Sequence, residues 1–94
     1  MAKIMVVDDD PDHVFVLKIA LRREGYEVAE AYSGTECLNK ISHVKPDLVI
    51  LDIMMSDMNG WDVCKRIRRY KEELRIELGK LISTAEALLK RTPA

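Results

Sequence analysis

The sequence predicts an open parallel α/β sheet, and three observations carry that expectation. Short apolar runs alternate with amphipathic stretches, and the joins between them are brief and marked by glycine, proline or aspartate. One run, Asp47-Leu48-Val49-Ile50-Leu51-Asp52, is apolar throughout between two aspartates, the pattern of a strand covered on both faces. Regular alternation with short joins closes through right-handed crossovers into a parallel sheet with helices on both faces. With 94 residues, 48% hydrophobic and 33% charged, the chain is expected to form a single domain over 1–94. No apolar stretch reaches the roughly 18 residues of a membrane span, and Met-Ala-Lys-Ile-Met-Val-Val runs straight into three aspartates without a signal-peptide layout. A cytoplasmic protein with no membrane partner is expected.

In chain order, Lys3 to Val7 is the first strand. Asp8-Asp9-Asp10-Pro11 follows, where aspartate supplies a cap and proline suits a first helical turn. The helix should run from Pro11 to Glu24, with Val14, Leu17 and Leu21 on one face and Gly25 as its stop. Tyr26 to Ala31 is a second strand, weakened by Glu27 and Glu30. Ser33-Gly34-Thr35 opens a helix that points Leu38 and Ile41 inward and closes at Lys45-Pro46. Asp47 to Asp52 is the third, central strand. A loop to Asn59-Gly60 then leads to a helix from Trp61 with Cys64, Ile67 and Leu74 on one face.

Charge is divided unevenly. Residues 1–60 carry 6 basic and 11 acidic side chains, and residues 61–94 carry 9 and 5. In the basic part, Lys71 with Arg75 and Glu73 with Glu77 fall at helical spacing, which argues for a solvated helix face rather than direct nucleic-acid contact. Cys37 and Cys64 lack metal or disulfide spacing and read as buried free thiols. His13 and His43 are expected to be solvent-exposed or capping, and Trp61 to pack at a helix start.

The chemistry lies in the aspartates. Ligands of an open parallel sheet bind beyond the strands' carboxyl ends where strand order reverses. Asp8 and Asp9 close the first strand and Asp52 the third, so three carboxylates should converge there. Crowded carboxylates resist joint ionisation, so one is protonated or a cation sits among them. Hard oxygen donors suit Mg2+ better than the soft Met54, Met55 and Met58 nearby suit another metal. Asp10 and Asp12 read instead as helix-capping residues.

Lys3-Ile4-Met5-Val6-Val7-Asp8-Asp9-Asp10, Pro46-Asp47-Leu48-Val49-Ile50-Leu51-Asp52-Ile53-Met54-Met55 and Asp57-Met58-Asn59-Gly60 together resemble the receiver domain of two-component response regulators, a flavodoxin-like fold, in register over residues 3–69. The resemblance implies that Asp52 is the phosphoacceptor for a sensor histidine kinase or phosphotransfer protein. It also implies that Asp9 and Asp52 ligate Mg2+ directly, that Asp8 acts mainly through a bound water, and that the Met54 main-chain carbonyl is a further ligand. Ser56 stands where the family usually has proline, which is expected to loosen the loop without touching a ligand.

Family members have five strands, with a Ser/Thr ending the fourth and a Lys ending the fifth. This chain is expected to be a C-terminally truncated receiver of three or four strands, without the fifth strand or its lysine, and divergent and largely helical over 70–94. After Arg69 two readings stay open. In one, Gly79 stops the third helix, Lys80 to Ser83 is a fourth strand, Thr84-Ala85 resembles the family's Thr-Ala pair with Thr84 as a phosphoryl contact, and Ser83-x-x-Glu86 forms a capping box. In the other, Leu74, Leu78, Leu81, Ala85 and Leu88 mark one helix running on to Lys90. The alternative function is a non-switching interaction module without productive phosphorylation. A homodimer through residues 70–94 or an exposed sheet edge is expected, because the missing elements would leave an edge and an apolar stripe uncovered.

Overall fold

The computed structural model of the chain describes residues 2–78. Over them β1 (Lys3–Val7), α1 (Pro11–Arg23), β2 (Glu27–Ala31), α2 (Gly34–Val44), β3 (Leu48–Leu51), α3 (Gly60–Tyr70) and β4 (Arg75–Leu78) follow in strict alternation. The four strands form one parallel sheet in the order β2-β1-β3-β4. The expected open parallel α/β architecture is the one observed.

Strand periodicity sorts the core into two layers. Ile4 and Val6 of β1 and Leu48 and Ile50 of β3 meet Val14, Leu17 and Leu21 of α1. Their alternates Met5, Val7, Val49 and Leu51 meet Cys37 and Ile41 of α2 and Val63 and Ile67 of α3. β3 is apolar at every position, and β1 at every position after Lys3, because both faces of these central strands are covered. Each such side chain taken from water contributes about 1.5–3 kcal/mol before entropy is counted. Edge strand β2 is less buried, and its Glu30 pairs with Lys18 of α1 at 2.7 Å.

The caps follow the sequence signals. Asp10 accepts from the Asp12 N–H at 2.9 Å with Pro11 in the first turn of α1. Ser33 accepts from the Glu36 N–H at 3.0 Å, and Glu36 reaches back to the Tyr32 N–H at 3.1 Å. An ion pair with Lys40 first, then the Tyr32 N–H, holds the Glu36 carboxyl below its usual range despite slight desolvation. Gly25, at φ 91°, turns the chain out of α1.

The region after Arg69 departs from both sequence readings. The third helix stops at Tyr70, and Lys71 leaves it with φ −151° and ψ 103°. Among the described residues a fourth strand is Arg75–Leu78, in the middle of the expected continuous helix and ahead of Gly79, the residue expected to stop the third helix. Arg68 holds the intervening turn, donating to the carbonyl oxygens of Glu72 at 2.9 Å and of Leu74. Leu74 is buried as expected, but from this turn and not from a helix face. Lys71, Glu73, Arg75 and Glu77 therefore form no helical charge pattern. Thr84, the stretch Lys80 to Ser83 and most of the expected dimerisation segment lie outside the described residues.

Candidate functional site

The sheet brings the acidic residues together. Strand order reverses between β1 and β3, and Val7 pairs with Leu51 at their carboxyl ends. The next residues are anchored through the main chain: the Asp8 N–H donates to Ala31 O at 3.1 Å and the Asp52 N–H to Val7 O at 3.0 Å. Asp8, Asp9 and Asp52 then each present a carboxylate oxygen, all within 4.8 Å of one another. The three expected side chains do converge at the reversal point.

They are not equivalent. Asp8 is 2% exposed, Asp52 half-buried and Asp9 exposed. Burial above all, then the Asp52 charge and contacts with Asp52 and Asp9, pushes the Asp8 carboxyl up to about 6 against the opposing Asp10 N–H, which donates to Asp8 Oδ1 at 2.9 Å. A buried acid beside two other carboxylates is short of positive charge. An all-oxygen donor set of this kind fits a hard divalent cation. His13, expected to be solvent-exposed or capping, is 55% exposed, and it also lies beside the acidic group, with Nδ1 3.4 Å from Asp8 Oδ2 and Nε2 3.5 Å from Asp10 Oδ2. Its signal in the sequence was helical spacing from Asp10, i to i+3, at the first turn of α1.

The loop between β3 and α3 encloses the group from the other side. The Met54 N–H donates to Asp52 Oδ1 at 3.2 Å, which sets the Met54 backbone beside that carboxylate. The Ser56 N–H donates to Asp9 Oδ2 at 3.1 Å. Ser56 thus does touch an expected metal ligand, contrary to the sequence reading, because the residue that replaces proline brings an N–H with it. Asp57 accepts from the N–H groups of Gly34 and Thr35, each at 3.0 Å, and from Thr35 Oγ1 at 2.9 Å. Those donors, Thr35 N–H foremost, lower its carboxyl to about 2. Gly60 lies so close behind the strand end that a Cβ there would stand 2.6 Å from Asp52 O and 2.7 Å from Ile53 Cα.

The side chains of the remaining candidates take no part in the acidic group. Met54 is exposed, whereas Met55 and Met58 pack against the second core layer. Trp61 is 56% exposed and does not bury itself at the start of α3, since the inward positions go to Gly60, Val63 and Ile67. His43 is exposed in the last turn of α2. Cys37 is a buried free thiol pushed up to about 12 by burial, while Cys64, expected to be buried, is half-buried. A cavity of about 470 Å³ bordered by Lys3, Arg22, Glu27 and Val44 opens at the opposite end of the sheet.

Comparison with known proteins points the same way. A family model described as the response regulator receiver domain matches residues 4–88. Over 69 residues the chain is 45% identical to the alkaline phosphatase synthesis transcriptional regulatory protein PhoP of Bacillus subtilis, covering 73% of this chain but 29% of that relative's length. Among solved structures, it is similar to the response regulator TrrA of Thermotoga maritima in complex with Mg2+-BeF, with a TM-score of 0.78 and 43% identity over 81% of this chain and 66% of TrrA. It is also similar to a chain in the complex of the histidine kinase ThkA with TrrA, at TM-score 0.78 and 44% identity over 83% of this chain and 67% of the other. The motifs, the sheet order and the family match over most of its length agree, and the chain belongs to the receiver domain family of two-component response regulators.

Proposed function

We propose that this receiver domain is a phosphoacceptor in which Asp52 takes a phosphoryl group from a sensor histidine kinase or phosphotransfer protein with Mg2+ at the acidic group. The observation that carries this reading is the convergence of Asp8, Asp9 and Asp52 within 4.8 Å at the strand-order reversal. Asp9, Asp52 and the Met54 main-chain carbonyl would hold the cation directly, with Asp8 acting mainly through a bound water. When bound, Mg2+ supplies positive charge that offsets repulsion between carboxylates and an incoming phosphoryl group.

In the transfer, an Asp52 carboxylate oxygen forms the new bond to phosphorus while the bond from phosphorus to the donor's imidazole nitrogen breaks. The electron pair stays on that nitrogen. The Met54 N–H on Asp52 Oδ1 orients the nucleophile. Likeness to TrrA, which has been crystallised with a histidine kinase, supports the partner class. On the outer face of α1, which begins at the site, Phe15, Val16 and Ile19 are 62%, 51% and 41% exposed and offer an apolar surface to such a partner. Among the described residues no helix is long and apolar enough to cross a membrane, and the reading assigns the domain to the cytoplasm, where it would meet a kinase.

The test is intact-mass spectrometry after incubation with a small acyl phosphate and Mg2+, with rapid acid trapping. The wild type should gain one phosphoryl group and Asp52→Asn none. A wild type that gains none would support the non-switching interaction module.

A further inference from the structure

The hydrogen bond from the Ser56 main chain to Asp9 gives this exposed residue a role that its hydroxyl does not supply. The bond, 3.1 Å long, joins positions 47 residues apart and ties the loop after β3 to the loop after β1. The two ends of the connection differ in how they are held. On the loop side, the adjoining Asp57 is clasped to the start of α2 by three hydrogen bonds, and two residues earlier Met54 is bonded to Asp52. The Ser56 N–H is therefore presented from a fixed stretch of backbone. On the other side, Asp9 is exposed, so burial does not hold its carboxylate as it holds that of Asp8. An unrestrained surface carboxylate samples several rotamers, and an N–H donor to a charged acceptor is strong enough to favour one of them.

We propose that the Ser56 backbone N–H is a positioning group for metal binding, fixing the Asp9 carboxylate beside Asp52 before a cation arrives. This rests on the reading of Asp9 as a Mg2+ ligand, and it follows the general rule that partners of a ligand set its orientation and its affinity. The group is the amide, so the side chain at position 56 is replaceable provided the residue keeps its N–H. Proline, which has none, is the one residue that removes it.

The experiment combines two measurements. Calorimetric titration with MgCl2 is run on the wild type, Ser56→Ala and Ser56→Pro, with metal-free melting curves as the check on folding. Ser56→Ala should bind as the wild type does. Ser56→Pro should bind about tenfold more weakly, the lower end of the effect of losing a ligand's hydrogen-bond partner, since this one is exposed. Amide hydrogen exchange on the metal-free protein should find the Ser56 N–H protected in the wild type and unprotected in Asp9→Ala. Equal Mg2+ affinity in Ser56→Pro and wild type, a loss in Ser56→Ala as large as in Ser56→Pro, or an unprotected Ser56 amide would overturn the proposal. If Ser56→Pro does not fold, the exchange comparison decides. A wild type that binds no Mg2+ while its Ser56 amide is protected would instead refute the metal reading and leave the hydrogen bond standing.

Discussion

Asp57 clasps Thr35 across 22 residues of sequence, its Oδ2 accepting from both the Thr35 N–H at 3.0 Å and Oγ1 at 2.9 Å while Oδ1 takes the Gly34 N–H. An anion is thereby set on the unsatisfied N–H groups at the start of α2, where the helix dipole favours it. The same contact pins the loop that carries Met54 and Ser56. Asp57→Ala should lower stability by about 1 kcal/mol, the usual cost of a lost cap. Asp57→Asn, which keeps one carbonyl acceptor, should fall between. Urea denaturation checks this, and an unchanged midpoint for Asp57→Ala would show the clasp to be energetically idle.

Asp8 gives the metal-free domain a pH dependence of definite sign. Its carboxyl is raised from 3.8 to about 6, mainly by burial. A group raised on folding contributes stability that is full below its unfolded pKa and lost as pH rises through the folded one. Stability should therefore fall between about pH 4 and pH 6, by up to about 3 kcal/mol. Asp8→Asn should remove this slope and stabilise the metal-free protein near neutral pH. Denaturation midpoints of the two proteins across this range isolate Asp8 from other titrating groups, and parallel profiles would refute the assignment.

Gly60 is required by contact. A methyl group there would meet the backbone at Asp52 and Ile53, neither of which can swing aside as a long side chain can. The Gly60 N–H also donates to Ile53 O at 2.7 Å, which locks the approach. Gly60→Ala should cost about 1–3 kcal/mol by overpacking, and it should weaken Mg2+ binding because the displaced segment carries Asp52. Thermal melting and MgCl2 titration on one sample test both parts, and full stability with normal binding would contradict the packing argument.

Much of this site was legible because its signals are local. Val14, Leu17 and Leu21 repeat at helical spacing, Leu48 to Leu51 is apolar without a break, and the aspartates at the ends of two such strands are brought together by topology alone. The tail of the third helix misled because Leu74 and Leu78 lie four apart, as on a helix face. In the fold they belong to a turn and a strand. The period-two alternation of Arg75-Ile76-Glu77-Leu78, with Ile76 and Leu78 packed on the second core layer, was the competing signal. Ser56 and Asp57 were missed for another reason: their roles lie in hydrogen bonds to residues 47 and 22 or more positions away, which no local pattern encodes. His13 fell between the two cases, with Asp10 one helical turn away but Asp8 reached only through the bend at Asp9.

The identity of the carboxylate that becomes the acyl phosphate decides whether Asp52 is the phosphoacceptor. Treating the acyl-phosphate-labelled protein with borohydride reduces an aspartyl phosphate to homoserine, and peptide mapping then reads the position. Homoserine is expected at Asp52 alone, formed only when Mg2+ was present during labelling and absent from Asp9→Ala. Homoserine at Asp8 or Asp9, or the same yield at Asp52 without Mg2+, would contradict the proposed function.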